Sequence, residues 1–101
     1  LSNGGRHPET GERLIDKYAV QVAKTIMLTC GMYDGSGEFA VRVGIPSKSG
    51  VGGGILAVVE KRMGIGIYGP ALNEKGNSIG GSHVLEYLSK ELNLHMFAAE
   101  Q

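Results

Sequence analysis

With 101 residues, ten basic and ten acidic side chains and a formal net charge of zero, the chain allows one domain at most and gives no electrostatic support to nucleic-acid binding. No apolar run approaches the roughly 20 residues of a membrane span, the opening residues do not read as a signal peptide, and a lone Cys30 cannot form an internal disulfide; a cytoplasmic setting is expected. Glycine is the outlier: of 17, all but Gly4, Gly5 and Gly11 cluster at 31–37, 44–54, 64–69 and 76–81 with Val, Ile and Leu between them, so they mark tight turns and close backbone packing rather than linker.

Residues 1–5, Leu-Ser-Asn-Gly-Gly, read like a helix end running into a turn, and we expect a C-terminal part of a larger protein. Residues 3–12 are a polar loop. Over 16–30 the pattern is helical: Asp16 is placed to cap, and Ala19, Val22, Ala23, Ile26, Met27 and Cys30 recur at steps of three and four along one apolar face. On that reading Cys30 is buried and inert. Gly31 ends the helix, and residues 33–37 form a turn.

Three strands are expected next. Phe39, Val41 and Val43 alternate with Glu38, Ala40 and Arg42, the pattern of a half-buried strand over 38–43. Ile55–Val59 is continuously apolar and reads as a strand covered on both faces. Met63, Ile65 and Ile67 alternate with Gly64 and Gly66, which leaves one face free of side chains and invites close approach. Only Glu60-Lys61-Arg62 separates the last two runs, so they form an antiparallel hairpin. After a Gly/Asn-rich loop over 69–82, a second helix over about 79–93 carries Val84, Leu85, Leu88 and Leu92 on one face. The fold class is α+β: helix, three-stranded antiparallel meander, helix, with too little sheet to cover both helices alone.

The residues that carry chemistry lie around Gly44-Ile45-Pro46-Ser47-Lys48-Ser49-Gly50-Val51-Gly52-Gly53-Gly54-Ile55. A cation, a hydroxyl and a run of backbone without side chains let a small ligand reach main-chain N–H groups. Lys48 and Ser49 are candidates for substrate anchoring by charge and hydroxyl; their alternative is a solvated turn after Pro46. Val51 contributes only its backbone, and an N–H there is worth about 3–4 kcal/mol to a developing oxyanion. Tyr33, in Cys30-Gly31-Met32-Tyr33-Asp34-Gly35-Ser36-Gly37, is a pocket phenol able to donate a hydrogen bond or move a proton, or a loop tyrosine packed over the sheet. His7, His83 and His95 lack metal spacing and read as surface or cap residues; no metal or cofactor site is expected. Asp34 and Glu38 form no convincing carboxylate pair. Gly50–Gly54 lacks the Lys-Ser/Thr ending of a phosphate loop and runs into a strand, which argues against nucleotide binding.

Together these stretches resemble the serine-dependent glutaminases, whose fold is related to that of beta-lactamases and penicillin-binding proteins, which carry a Lys-Thr/Ser-Gly box of their own. The resemblance is carried by Cys30-Gly31-Met32-Tyr33-Asp34, Ser36-Gly37, Phe39-Ala40, the run 44–55, Asn3-Gly4-Gly5, Pro8, Thr10-Gly11-Glu12, Leu72-Asn73 and Gly76-Asn77-Ser78. It implies hydrolysis of L-glutamine to L-glutamate and ammonia through a serine acyl-enzyme. It also implies that Tyr33 lines the substrate site, that the Val51 N–H belongs to the oxyanion hole, and that the protein is a homo-oligomer needing no cofactor. The family's Ser-x-x-Lys nucleophile motif is absent from these residues, since Ser47-Lys48 and Ser89-Lys90 have the wrong spacing. The resemblance therefore makes residues 1–101 the C-terminal segment of a single glutaminase catalytic domain, inactive alone, whose nearest partner is the rest of that domain. The rival expectations are a beta-lactamase-like or penicillin-binding acylase and a non-catalytic interaction module.

Overall fold

The computed structural model describes residues 1–98. The first helix, α1, spans Lys17–Cys30. Its cap is Asp16, whose Oδ2 accepts from the N–H groups of Tyr18 and Ala19 at 3.0 and 3.2 Å, so two donors that the helix leaves unpaired at its start are satisfied. Gly31 closes α1 with its N–H on the Met27 carbonyl. A Cβ on Gly31 would lie 1.8 Å from the Ser47 carbonyl oxygen. Only glycine lets the helix end press on the backbone beyond it, and the Gly31 carbonyl then accepts from Ser49 N–H at 2.9 Å.

A single 3₁₀ turn, Tyr33–Gly35, leads directly into a second helix, α2, over Ser36–Arg42. The strand expected over 38–43 is therefore a helix. Alternation over six residues does not separate the two periods when residues 39 and 43 also stand four apart. Phe39 and Val43 pack on the core while Val41 is 77% exposed, and Glu38 pairs with Arg42 one turn away at 3.1 Å.

The sheet nevertheless has three antiparallel strands in the order β1–β2–β3: Ser47–Ser49, Gly54–Val59 and Met63–Tyr68. Its first strand is the stretch read as a turn. Three polar residues carry no strand signal of their own; pairing Ser47, Lys48 and Ser49 with Ala57, Leu56 and Ile55 makes them one. The β2–β3 hairpin follows the expected register, Val59 opposite Met63 through Gly54 opposite Tyr68, and Lys61 takes a left-handed φ of 61° in its loop. The third helix, α3, spans Ile79–Glu91, with Ser78 Oγ accepting from Gly81 N–H at 3.0 Å.

One face of the sheet supplies Ile55, Ala57 and Val59 to a core shared with Met32, Val43, Ile45, Leu85 and Leu94, and Phe39, Met63, Ile65, Ile67 and Leu88 pack around it. The opposite face is open in part: Val58 on it is buried. Leu56 and Tyr68 are exposed there, and nothing among the described residues lies within 4 Å of where a Cβ on Gly66 would sit. Ile55–Val59 is the central strand, as expected, and its second face is covered at Val58 but not at Leu56; no described residue uses the close approach that Gly66 allows. On α1 the buried positions are Val20 and Met27, whereas Ile26 and Cys30 face outward, so the expected burial of Cys30 is corrected. Periodicity located an apolar stripe but not which of two neighbouring stripes meets this core. On α3, likewise, Leu85 is fully buried while Val84 and Leu92 are exposed.

Candidate active site

Tyr33 has a backbone that few residues adopt. Its φ is +54°, the left-handed region, which costs a side-chain-bearing residue about 1–2 kcal/mol. Four hydrogen bonds bracket the position. Ser36 Oγ donates to the Tyr33 carbonyl at 2.8 Å and accepts from Met32 N–H at 3.0 Å. The Met32 carbonyl accepts from Gly35 N–H at 3.1 Å and from Asn77 Nδ2 at 2.8 Å.

Held in this way, the phenol crosses to β1, where its hydroxyl donates to the Ser49 carbonyl at 3.2 Å. The Lys48 ammonium lies 4.6 Å from the Tyr33 ring centroid and also donates to the Ser49 carbonyl. From another side Gly76 approaches: a Cβ there would stand 3.8 Å from two ring carbons. Tyr33 is still 40% exposed, so the ring lines an open surface and is not swallowed by the core.

Two residues beyond Ser49 the chain turns. Gly53 N–H donates to the Gly50 carbonyl and Gly50 N–H to the Gly54 carbonyl, both at 3.0 Å, which puts Val51 and Gly52 at the middle of a β-turn. Among the described residues the Val51 N–H has no protein acceptor, and the Val51 side chain is 71% exposed. Of the two residues singled out from sequence, Tyr33 thus reaches β1 from the 3₁₀ turn, at the Ser49 carbonyl, and Val51 lies two residues further along the chain in the turn.

The other candidates fall out differently. Ser49 is buried with its Oγ unpartnered, facing the core side of the sheet, so it is not a substrate hydroxyl. Lys48 is spent on the Tyr33 ring and the Ser49 carbonyl rather than projecting freely from a turn. His7 Nδ1 accepts from Glu9 N–H and His95 Nδ1 from Phe97 N–H, both at 3.1 Å, which makes both of them turn caps. His83 is exposed and borders a cleft of about 380 Å³ between α2 and α3. Glu86 also lines that cleft, and Lys90, hydrogen-bonded to it at 3.0 Å, holds its carboxyl below its ordinary range. Among the described residues no cluster of His, Cys, Asp or Glu could hold a metal ion, and no helix is long and apolar enough to cross a membrane.

Sequence reasoning singled out Tyr33 but not Ser36 and Asn77, which hold it. Both stand within the stretches that carry the family resemblance, yet nothing in a Ser or Asn of a glycine-rich loop says which carbonyl it will meet.

Comparison with known proteins gives the family. The Glutaminase family model matches residues 1–97. The chain is 60% identical over 97 residues to a glutaminase of Clostridium botulinum (strain Loch Maree / Type A3) and 63% identical to one of Clostridium tetani (strain Massachusetts / E88). Each match takes in 96% of this chain and 32% of the relative, so the chain spans about a third of the length of these curated relatives. A Bacillus glutaminase crystallised in 4.3 M NaCl superposes with a TM-score of 0.90 at 46% identity, covering 95% of this chain and 34% of the other. The Bacillus subtilis glutaminase YbgJ, solved as a covalent complex with 5-oxo-L-norleucine formed from 6-diazo-5-oxo-L-norleucine, superposes with a TM-score of 0.88 at 45% identity, covering 95% and 35%. The chain belongs to the glutaminase family.

Proposed function

We propose that these residues are the C-terminal segment of a glutaminase catalytic domain, which hydrolyses L-glutamine to L-glutamate and ammonia. The observation that supports this best is the pairing of Tyr33 Oη with the Ser49 carbonyl, two residues before a Val51 N–H that has no acceptor among the described residues. Amide hydrolysis needs an activated nucleophile, a donor for the oxyanion and a proton for the departing amine. A serine outside this sequence, its proton taken by the lysine of the family's Ser-x-x-Lys motif, attacks the side-chain carbonyl of glutamine, and the carbonyl oxygen gains the negative charge. The Val51 N–H donates to that oxygen. As the tetrahedral species collapses, the C–N bond breaks, ammonia leaves with a proton relayed at Tyr33, and an acyl-enzyme remains. Water then attacks the ester, releasing glutamate and restoring the serine.

The family's Ser-x-x-Lys nucleophile motif is absent from these residues, so the segment alone does not hydrolyse glutamine. The complete enzyme acts in cytoplasmic glutamine catabolism as a homo-oligomer without a cofactor. The covalent adduct described for YbgJ favours an acyl-enzyme route. Ammonia release from L-glutamine by the complete protein, with L-asparagine alongside, tests the reading. The expected result is strong release from glutamine, little from asparagine, and a 10²-fold or greater loss of kcat in Tyr33→Phe, about the size of a general acid–base contribution. No release from folded protein, with labelling by a beta-lactam instead, would move the chain to a penicillin-binding type of acylase. Unchanged turnover in Tyr33→Phe would remove the role of the phenol.

A further inference from the structure

We infer that Asn77 is the positioning residue for Tyr33; the inference rests on the role of Tyr33 proposed above. Asn77 is 4% exposed and lies 44 positions away along the sequence, on the loop that leads into α3. Its Nδ2 donates to the Met32 carbonyl at 2.8 Å, the oxygen of the peptide that joins Met32 to Tyr33. A carbonyl only accepts, so the amide nitrogen must face it and the orientation of the Asn77 side chain is fixed. That leaves Asn77 Oδ1 buried without a partner among the described residues. A buried orphan acceptor costs about 1–3 kcal/mol, which an apolar residue of similar size would avoid. The fold keeps the amide nonetheless, and what it obtains is a fixed plane for the peptide that sets the left-handed φ of Tyr33.

The loop that carries Asn77 is itself rigid. Asn73 Oδ1 accepts from the N–H groups of Lys75 and Asn77 at 2.9 and 3.1 Å, and Asn73 N–H donates to the Asn77 carbonyl at 2.8 Å. Gly76, with a φ of +86°, brings the loop beneath the Tyr33 ring. Ser78, next in sequence, caps α3, whose Leu85 is fully buried in the core. Asn77 thus transmits the rigidity of the core to a phenol that stands on the surface, and it acts on catalysis through Tyr33 and not on substrate.

The experiment compares wild type, Asn77→Ala, Asn77→Asp, Tyr33→Phe and the double variant Tyr33→Phe/Asn77→Asp in the complete enzyme, with kcat and KM for glutamine followed from pH 5 to 8. A displacement of a catalytic group by about 1 Å costs on the order of 10²-fold. Asn77→Ala is therefore expected to lose kcat by roughly ten- to a hundredfold with KM held within about threefold. In Asn77→Asp a carboxylate faces the Met32 carbonyl and repels it. Relative to wild type at the same pH, its kcat is lowest at neutral pH and recovers on acidification, as the buried carboxyl takes up a proton and donates in place of Nδ2. Asn77→Ala has no such recovery. In the Tyr33→Phe background Asn77→Asp adds little, because its route to catalysis is already gone.

Should Asn77→Ala fail to fold, the nearly isosteric Asn77→Asp and the double variant still decide. Loss of stability with kcat unchanged would overturn the inference, as would an Asp variant without acid recovery, or a full further loss in the Tyr33→Phe background. Wild-type turnover in Tyr33→Phe itself would instead overturn the proposed role of the phenol.

Discussion

Tyr33 and the Val51 N–H, the two groups proposed to meet the substrate, are held by different means. The Tyr33 turn is tied from every side: Ser36 and Asn77 fix its backbone, Gly31 docks the helix end beside it, and Gly76 backs its ring. The Val51 turn is held by backbone alone, through bonds from Gly53 to Gly50, Gly50 to Gly54 and Gly69 to Gly53, with a side chain that stands mostly in solvent. The contrast follows from what each supplies. A side chain can be aimed only if its backbone is aimed first, which for Tyr33 means holding an unfavourable φ. A backbone N–H is aimed by the turn that contains it, and that turn is set by its closure and by the Gly69 N–H that the Gly53 carbonyl accepts.

Proline makes the sharpest break in that comparison. Val51 occupies the second position of its turn, where proline is favoured, so Val51→Pro keeps the chain path and removes only the N–H. A missing oxyanion donor costs about 10²–10³ in kcat. Val51→Ala, which changes an exposed side chain and keeps the N–H, is expected to stay within about twofold of wild type. Turnover assays on the complete enzyme check both. An equal loss in the two variants would mean that the isopropyl group matters and the backbone donor does not.

The next break is structural. Gly31→Ala forces a Cβ against the Ser47 carbonyl and strains the contact from which the Ser49 N–H to Gly31 bond is made. The expected loss is about 3 kcal/mol, the upper end of what overpacking usually costs. Gly52→Ala is the counterpart: nothing lies within 4 Å of its Cβ, and the change stays within about 0.5 kcal/mol. Urea unfolding of the complete protein reads both. Comparable costs at the two glycines would erase the distinction between a braced region and a free one.

Sequence reading reached some of this and missed the rest for identifiable reasons. The helix capped by Asp16, the hairpin turning at Glu60–Arg62 and the start of α3 are local signals, and all three are where they were expected. The helix over Ser36–Arg42 and the strand at Ser47–Ser49 are not local: the first depends on Phe39 and Val43 finding one core, the second on a partner strand. Tyr33 and Val51 were legible because their motifs are long and glycine-rich. Asn77 was not, because its acceptor lies 45 residues earlier in the chain and no spacing rule connects them.

Lys48 offers the finest test, since it meets both the Tyr33 ring and the Ser49 carbonyl that the Tyr33 hydroxyl also meets. Charge and position in sequence made it a substrate anchor; in the structure its ammonium is already engaged by the Tyr33 ring and by the carbonyl that precedes the Gly50–Gly53 turn. Lys48→Met keeps the apolar stem and deletes the charge. An exposed cation–π contact is worth about 0.5–1 kcal/mol, so kcat is expected to fall by roughly two- to fivefold through a looser phenol, with KM for glutamine unchanged. An anchor would behave in the opposite way, since removing binding that ground state and transition state share raises KM and spares kcat. A KM increase of tenfold or more at constant kcat would return Lys48 to the substrate and leave Tyr33 braced by its backbone and Gly76 alone.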